Sequence, residues 1–277
     1  MDRDLEEILG GLQAGRIIPY LGAGLLPVAE GSLPASFPEL ADVLGSRVTV
    51  PHKIRRNLTA TAQYVENFRH RKTLVQMMDE AFSGPVPVHP VLRYLAEMPL
   101  PLVVHLWYDD SVAMALAGAG RTWGRIQGLS QGEHYGNWTG YWSASGEKVA
   151  EDGAAGWDTI LYEPWGARSP ASNYLVSDSD FVEVMTEIDI QTPIPQSVQL
   201  IRRDRHFLFL GCRFDDQLQR AFARQIMKRS SDRHWALFDQ PLTRNEQRFL
   251  AEQNIQPLFW PVASLPDGRV PAVAQAG

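Results

Sequence analysis

The sequence predicts an α/β fold, a mostly parallel sheet with helices on both faces, and three observations lead there. Short apolar runs recur between stretches of helical periodicity. Those runs are apolar throughout rather than alternating, as strands covered on both faces are. Residues suited to ligand chemistry follow the runs: Gly22-Ala23-Gly24, Tyr108-Asp109, Pro164-Trp165-Gly166 and Gly211 to Asp215. In open parallel sheets, ligands bind at the carboxyl ends of strands, near the point where strand order reverses.

Taken in order, residues 2–14 read as a helix with an acidic start (Asp2, Asp4, Glu6, Glu7), suited to the positive N-terminal end of the helix dipole. Gly15 ends it, and Arg16 to Leu21 reads as a buried strand. Residues 27–38 are loop-like, with Pro27, Gly31, Pro34 and Pro38. A helical part follows over about 36–98. Within it, Ala60, Tyr64, Val65 and Phe68 lie at helical spacing, as do Leu74, Met77, Met78 and Phe82, which predicts helix faces packed into a core. His89 to Met98 forms a short helix that Pro99 and Pro101 end. Leu102 to Trp107 is a second strand, and Ser111 to Ala117 a helix.

Residues 118–157 differ, being rich in glycine and aromatics (Trp123, Tyr135, Trp138, Tyr141, Trp142, Trp157). They read as an insert, with Tyr135 to Trp142 a hairpin or an ordered loop. Its rings either pack on the domain or form a stacking platform. Thr159 to Tyr162 is a third strand. Ser177 to Thr186 is a helix capped by Ser177 or Asp178. His206 to Gly211 is a fourth strand, Asp215 to Lys228 a helix and Trp235 to Phe238 a fifth strand. Thr243 to Gln253 is a helix with a capping-box pattern at Thr243 and Glu246, and Gln256 to Trp260 the last strand. The reading is of one domain over 1–262 and a flexible tail over 263–277.

A chain of 277 residues with 44% hydrophobic and 21% charged residues is ordinary for a globular protein with a sizeable core. The net charge of −6 argues against a nucleic-acid-coating surface. Cys212 is the single cysteine, so no internal disulfide forms, and with no signal peptide evident the expectation is a cytoplasmic protein. No run is long enough to span a membrane, and no metal-ligand spacing such as His-x-x-x-His occurs.

The glycine turn after the first strand would let a phosphate approach the backbone, with amides and a following helix start to hold it. Its alternative is a plain strand-to-helix turn. Gly211 and Asp215 line the far side of a nucleotide site or form a helix cap. His105 reads as a core histidine with a replacement base as the alternative. His89 is structural, and His134 beside Glu133 is a weaker acid/base or metal candidate. Cys212, at the end of a buried strand, reads as an inert thiol.

The ordered set of landmarks resembles the sirtuin family, in particular its bacterial NAD-consuming defence-type members. Leu21-Gly-Ala-Gly24 is similar to the family's opening motif, and Leu33 to Ala41 to the loop and helix after it. Val103-Val-His-Leu-Trp-Tyr-Asp-Asp110 is similar to its strand ending in Thr-Thr-Asn-Tyr-Asp. Tyr162-Glu-Pro-Trp-Gly166 with Tyr174 to Phe181 resembles its His-Gly segment and acidic helix, and Phe207 to Asp216 its Gly-x-Ser-x-x-Asp strand and helix. The likeness spans about residues 5–260. It implies a Rossmann-like domain that binds NAD or ADP-ribose through Gly22, Ala23, Gly24, Trp107, Asp109, Trp165, Gly211 and Asp215. No Cys-x-x-Cys pairs exist to hold the deacetylases' structural zinc.

The departures fall on the chemistry. The family's ribose-ordering Asn position holds Trp107, and the position of its general base His holds Trp165. Indole N–H donates and has no basic lone pair, so neither ring replaces the lost group. The implied function is nucleotide or other anion binding without NAD hydrolysis, as a ligand-binding or protein-recognition module. Two alternatives stand beside it: an active NAD glycohydrolase using His105 or His134, and an interaction subunit, homo-oligomeric or with another protein, that docks through the Trp-rich insert.

Overall fold

The computed structural model describes residues 3–27 and 33–268. In chain order the elements are α1 (Arg3–Gln13), β1 (Ile17–Leu21), α2 (Phe37–Arg47), α3 (Leu58–Arg69), α4 (Arg71–Ala81), α5 (Pro90–Ala96), β2 (Leu102–His105) and α6 (Ser111–Ala117). Then come β3 (Trp123–Gly128), α7 (Gln131–His134), β4 (Thr139–Ser143), β5 (Lys148–Val149), β6 (Thr159–Glu163), β7 (Gly166–Ala167), β8 (Asn173–Tyr174) and α8 (Asp178–Glu187). The last are α9 (Gln196–Ile201), β9 (His206–Leu210), α10 (Gln217–Met227), β10 (His234–Leu237), α11 (Arg244–Glu252) and β11 (Ile255–Leu258).

The main sheet has nine strands in the order β11-β10-β9-β1-β2-β6-β3-β4-β5, and β7 with β8 makes a separate two-stranded ribbon. Every pairing from β11 to β3 is parallel, while β4 and β5 add an antiparallel edge. The chain builds outward from β1 through β2 to one side, then returns to place β9, β10 and β11 on the other. The order therefore reverses at β1 and β9. This is the doubly wound, Rossmann-like arrangement, and it makes the paired ends of β1 and β9 its ligand-binding crevice.

The parallel strands of the main sheet feed two cores. Ile18 and Tyr20 of β1 join the larger one with α2, α3, α4, α8 and α10, whereas Ile17 and Leu21 join a second with α1, α5 and α6. Helix starts are set locally. Ser177 with Asp180 and Thr243 with Glu246 form reciprocal capping boxes, and Gly15 leaves α1 at a φ of 64°. At the first turn of α4, Arg71 bonds Asp180 (2.8 Å), Glu133 (3.0 Å) and the Tyr174 carbonyl, tying the helical layer to α7 and α8.

Four expectations are corrected. Residues 118–157 are not an insert packed on the domain. They contribute β3, β4 and β5 to the main sheet. The glycines there make room for rings: a Cβ at Gly124 would collide with the Trp157 indole, and one at Gly140 with that of Trp142. The core face of α3 is Leu58, Thr61, Ala62 and Val65, while Phe68 is 67% exposed and packs on Tyr64 with ring centres 4.4 Å apart. The second strand stops at His105, and Trp107 lies in the turn beyond it. Lastly, the first part of the expected tail is ordered. Val262–Ser264 forms a 3-10 turn and Leu265 is buried against the second core. Residues 269–277, like Asp2 and the Gly31 part of the 27–38 loop, lie outside the described residues.

Candidate functional site

Beyond β1 the chain turns through a short 3-10 segment, Ala23–Leu25, directly against the end of β9. The Gly22 amide donates to the Leu210 carbonyl (2.9 Å) and the Gly24 amide to that of Gly211 (2.9 Å). Leu25 and Leu26 donate back to Gly22 and Ala23 (3.3 and 3.0 Å). Most amides that a phosphate would use are thus already bonded to backbone. The glycines have a second cause as well. A Cβ at Gly22 would lie 2.5 Å from the Gly211 carbonyl oxygen, and one at Gly24 2.9 Å from it. Gly211 reciprocates: at φ 64°, its Cβ would stand 2.7 Å from the Leu25 nitrogen.

Against this crossing lies a cavity of about 420 Å³. Gly22, Ala23, Gly24, Trp107, Trp165, Gly211 and Asp215 all line it, so the fold gathers seven of the eight residues expected at the site. Asp109 is the exception. Its carboxylate accepts the Ser111 amide at 2.8 Å and faces His105 Nε2 at 3.5 Å, which fixes the start of α6 away from the cavity. Burial pushes that carboxyl up, but His105 and the Ser111 donors outweigh it and hold the group below its ordinary range.

The mouth is built from helix starts that the sequence reading did not assign to the site. Ser36 caps α2, Asn57 caps α3 and Asp216 caps α10, and all three line the cavity. Each helix presents its positive end there. Arg56 adds charge, its nearest carboxylate being Asp42 at 3.9 Å. Arg213 is held by Glu246 through two 2.8 Å bonds. Burial raises the Glu246 carboxyl, and the Arg213 and Thr243 donors more than reverse this. The cap residues are visible in the sequence as Ser36-x-x-Glu39 and Asn57; their convergence is a tertiary fact.

The inner wall is aromatic. Trp107 and Trp165 are each 1% exposed. Phe37 stacks on Trp107 (5.8 Å, 18°) and tilts against Trp165 (5.6 Å). The Trp107 N–H donates to the Pro34 carbonyl at 2.8 Å. Cys212 lies in the wall too, its thiol directed at the Tyr20 and Leu210 carbonyls, and burial pushes its pKa up, so it stays protonated.

The remaining candidates stand elsewhere. His105 is buried with Asp109 and does not line the cavity. His134 ends α7 and is likewise absent from the lining, and His89 caps α5 through the Val91 amide (3.1 Å). Of the aromatics in 118–157, Trp123, Tyr141 and Trp142 are buried, and Tyr135 is 92% exposed. Among the described residues, no group of three or more His, Cys, Asp or Glu is placed to hold a metal, and no helix is long and apolar enough to cross a membrane.

A comparison with curated proteins gives no match. The profile of the SIR2-like domain matches residues 101–258, from the start of β2 to the end of β11. That span carries Trp107, Trp165, Gly211 and Asp215, and the glycine turn stands ahead of it. With more than half of its length matched, this chain belongs to the SIR2-like domain family, a family of NAD-related proteins.

Proposed function

We propose that this protein binds NAD, ADP-ribose or a related anionic nucleotide in the cavity at the β1–β9 crossing and does not hydrolyse NAD. It serves in the cytoplasm as a ligand-binding or recognition module. One observation supports the reading: the glycine turn and both tryptophans line one cavity, and its inner wall is two indoles where the resemblance leads one to expect an amide and an imidazole. Among the described residues, the titratable groups that line it are Tyr20, Arg56, Cys212, Arg213, Asp215 and Asp216, with no histidine. Burial raises Tyr20 and Cys212, and Asp216 accepts the Leu218 amide at 2.7 Å. A general base contributes about 10²–10⁴-fold to such a rate, and His105 and His134 are not in the site to supply one.

Isothermal titration with NAD and ADP-ribose, paired with an assay for released nicotinamide, tests this. Binding without release is the expected result. Release of nicotinamide by the purified protein overturns the loss of hydrolysis, and no heat with either compound overturns the nucleotide reading.

A further inference from the structure

On the opposite face of the sheet from the cavity's aromatic wall, three polar side chains are buried in a row. Val104 pairs with Tyr162 and Gln127 with Glu163, so His105, Glu163 and Gln127 stand side by side at the carboxyl ends of β2, β6 and β3. Val104 and Tyr162 belong to the larger core, with Trp107 and Trp165, so the residues after them face the other way, toward α5 and α6. His105 is 2% exposed, and Glu163 and Gln127 are 0% exposed. Each has an atom with no hydrogen-bond partner among the described residues: His105 Nδ1, Glu163 Oε1 and Gln127 Oε1. With the His105 proton on Nε2, toward Asp109 at 3.5 Å, all three atoms are acceptors. Flipping the Gln127 amide does not help, because its nitrogen already serves Glu163 Oε2 at 2.8 Å and the Ser169 carbonyl at 2.7 Å. Arg125 is committed to Asp110 at 3.0 Å and to the Ser169 carbonyl, and its Nη1 stays 3.7 Å from Glu163 Oε1. Protein interiors rarely leave buried polar atoms unpaired, and one added proton would supply the donor this row lacks.

We propose that Glu163 is a positioning residue: a neutral carboxylic acid whose O–H supplies the missing donor and so holds the cavity's tryptophan wall from behind. The inference rests on the nucleotide reading above for what that wall receives. The chain makes the link short. Trp165 lies two residues after Glu163, and Trp107 two after His105 and two before Asp109. Burial raises the Glu163 carboxyl, and the Arg125 guanidinium and the Gln127 amide oppose this only in part. The charged and titratable groups facing Glu163 are Arg125 from β3, His105 from β2 and Asp110 from the turn before α6. Asp109 stands beside His105, and Arg168, half-buried, lies 3.9 Å from Asp110. With Glu163 ionised, three carboxylates would share two guanidiniums, and its own charge would be buried without a hydrogen-bonded cation. Relief comes from the ends of β2 and β6 parting, and the two indoles move with them. Protonation of Glu163 therefore sets the shape of a cavity that Glu163 does not line.

The test follows the Glu163 carboxyl carbon by NMR in ¹³C,¹⁵N-labelled, ligand-free full chain. It should titrate at higher pH than the exposed glutamates, and the indole N–H resonances of Trp107 and Trp165 should shift over the same pH range. Those readings need neither a variant nor a ligand. In Glu163→Gln, whose amide keeps a donor and cannot ionise, both indole resonances should stay in place across that range. Titrated with ADP-ribose, the wild type should bind more weakly as pH rises through the same range, by up to about tenfold per pH unit, the limit for one linked proton. Glu163→Gln should keep the low-pH affinity of the wild type throughout. A Glu163 carboxyl that titrates with the exposed glutamates, indoles that ignore its titration, or a wild-type pH profile retained in Glu163→Gln overturns the proposal. Absence of ADP-ribose binding overturns instead the nucleotide reading beneath it, and the resonances still decide the role of Glu163.

Discussion

Replacing Gly22 with alanine separates two reasons for a glycine at the end of β1. Its φ of −113° and ψ of 176° suit any residue, so backbone strain plays no part. The obstacle is the partner loop: the new Cβ would stand 2.5 Å from the Gly211 carbonyl oxygen and 3.0 Å from the Cys212 Cα. Ordinary carbon–oxygen contact needs almost an ångström more, and both near atoms are backbone. Relief requires the ends of β1 and β9 to part, which weakens the Gly22–Leu210 and Gly24–Gly211 bonds, both 2.9 Å. Overpacking of this kind costs about 1–3 kcal/mol, and each of the two weakened bonds about 0.5–1 kcal/mol, giving roughly 2–5 kcal/mol in all. For a chain of this size that lowers the melting temperature by about 5–10 °C. Gly10 supplies the control, because nothing lies within 4 Å of a Cβ there. Gly10→Ala in α1 should stabilise by roughly 0.5–1 kcal/mol. Both are read by urea denaturation of ligand-free protein. A Gly22→Ala protein as stable as wild type that fails to bind ADP-ribose would refute the argument, since the glycine would then serve a ligand alone.

Other expected outcomes bear on single residues. Burial, with His206 beside it, lowers the His234 pKa from 6.5 to about 4, and its ring accepts the Phe207 amide at 2.9 Å. The unfolded chain takes up that proton first, so stability should fall as pH drops from about 6.5 to about 4, by on the order of 3 kcal/mol; His234→Gln should flatten that slope, and an unchanged slope would exclude His234 as its source. Asp180 accepts from Arg71 (2.8 Å), Ser130 (2.6 Å) and the Val176 and Ser177 amides (2.9 and 3.0 Å). Asp180→Ala should cost about 3–5 kcal/mol by leaving Arg71 without its buried partner, measured by denaturant titration. Asp109→Asn should lower stability by about 1–2 kcal/mol yet leave ADP-ribose affinity by calorimetry unchanged; a large affinity loss would return Asp109 to the site.

The strand β3 was the hardest part of the sheet to read. The apolar runs at β1, β2, β6, β9 and β10 are plain in the sequence because both faces of each meet a core. Residues Trp123 to Gly128 are equally buried but carry Arg125 and Gln127. Those side chains are held by distant partners: Arg125 bonds Asp110 at 3.0 Å, and Gln127 bonds Glu163 at 2.8 Å. Polarity in the sequence hid a strand whose partners lie elsewhere in the chain. Phe68 misled in the opposite direction, since helical spacing alone does not say which of two apolar stripes faces inward. At the site, the strand-end residues were legible because parallel topology dictates where they gather. Asp109 was misplaced because a turn of a few residues sends Trp107 and Asp109 to different sides, and residue spacing does not encode that. Ser36 and Asn57 were not read as helix caps, and only the packing of α2 and α3 brings those helix starts to one mouth.

The capped helix starts have a consequence for how a ligand would be held. Ser36, Asn57 and Asp216 already occupy amides of Glu39, Ala60 and Leu218. An arriving anion is met less by fixed, directional contacts than by a diffuse positive potential. Such attraction tolerates anions of different shape but fades as dissolved salt screens it, over a distance of about 8 Å at physiological ionic strength. The mouth would gather negatively charged molecules broadly, leaving discrimination among them to whatever each carries inward.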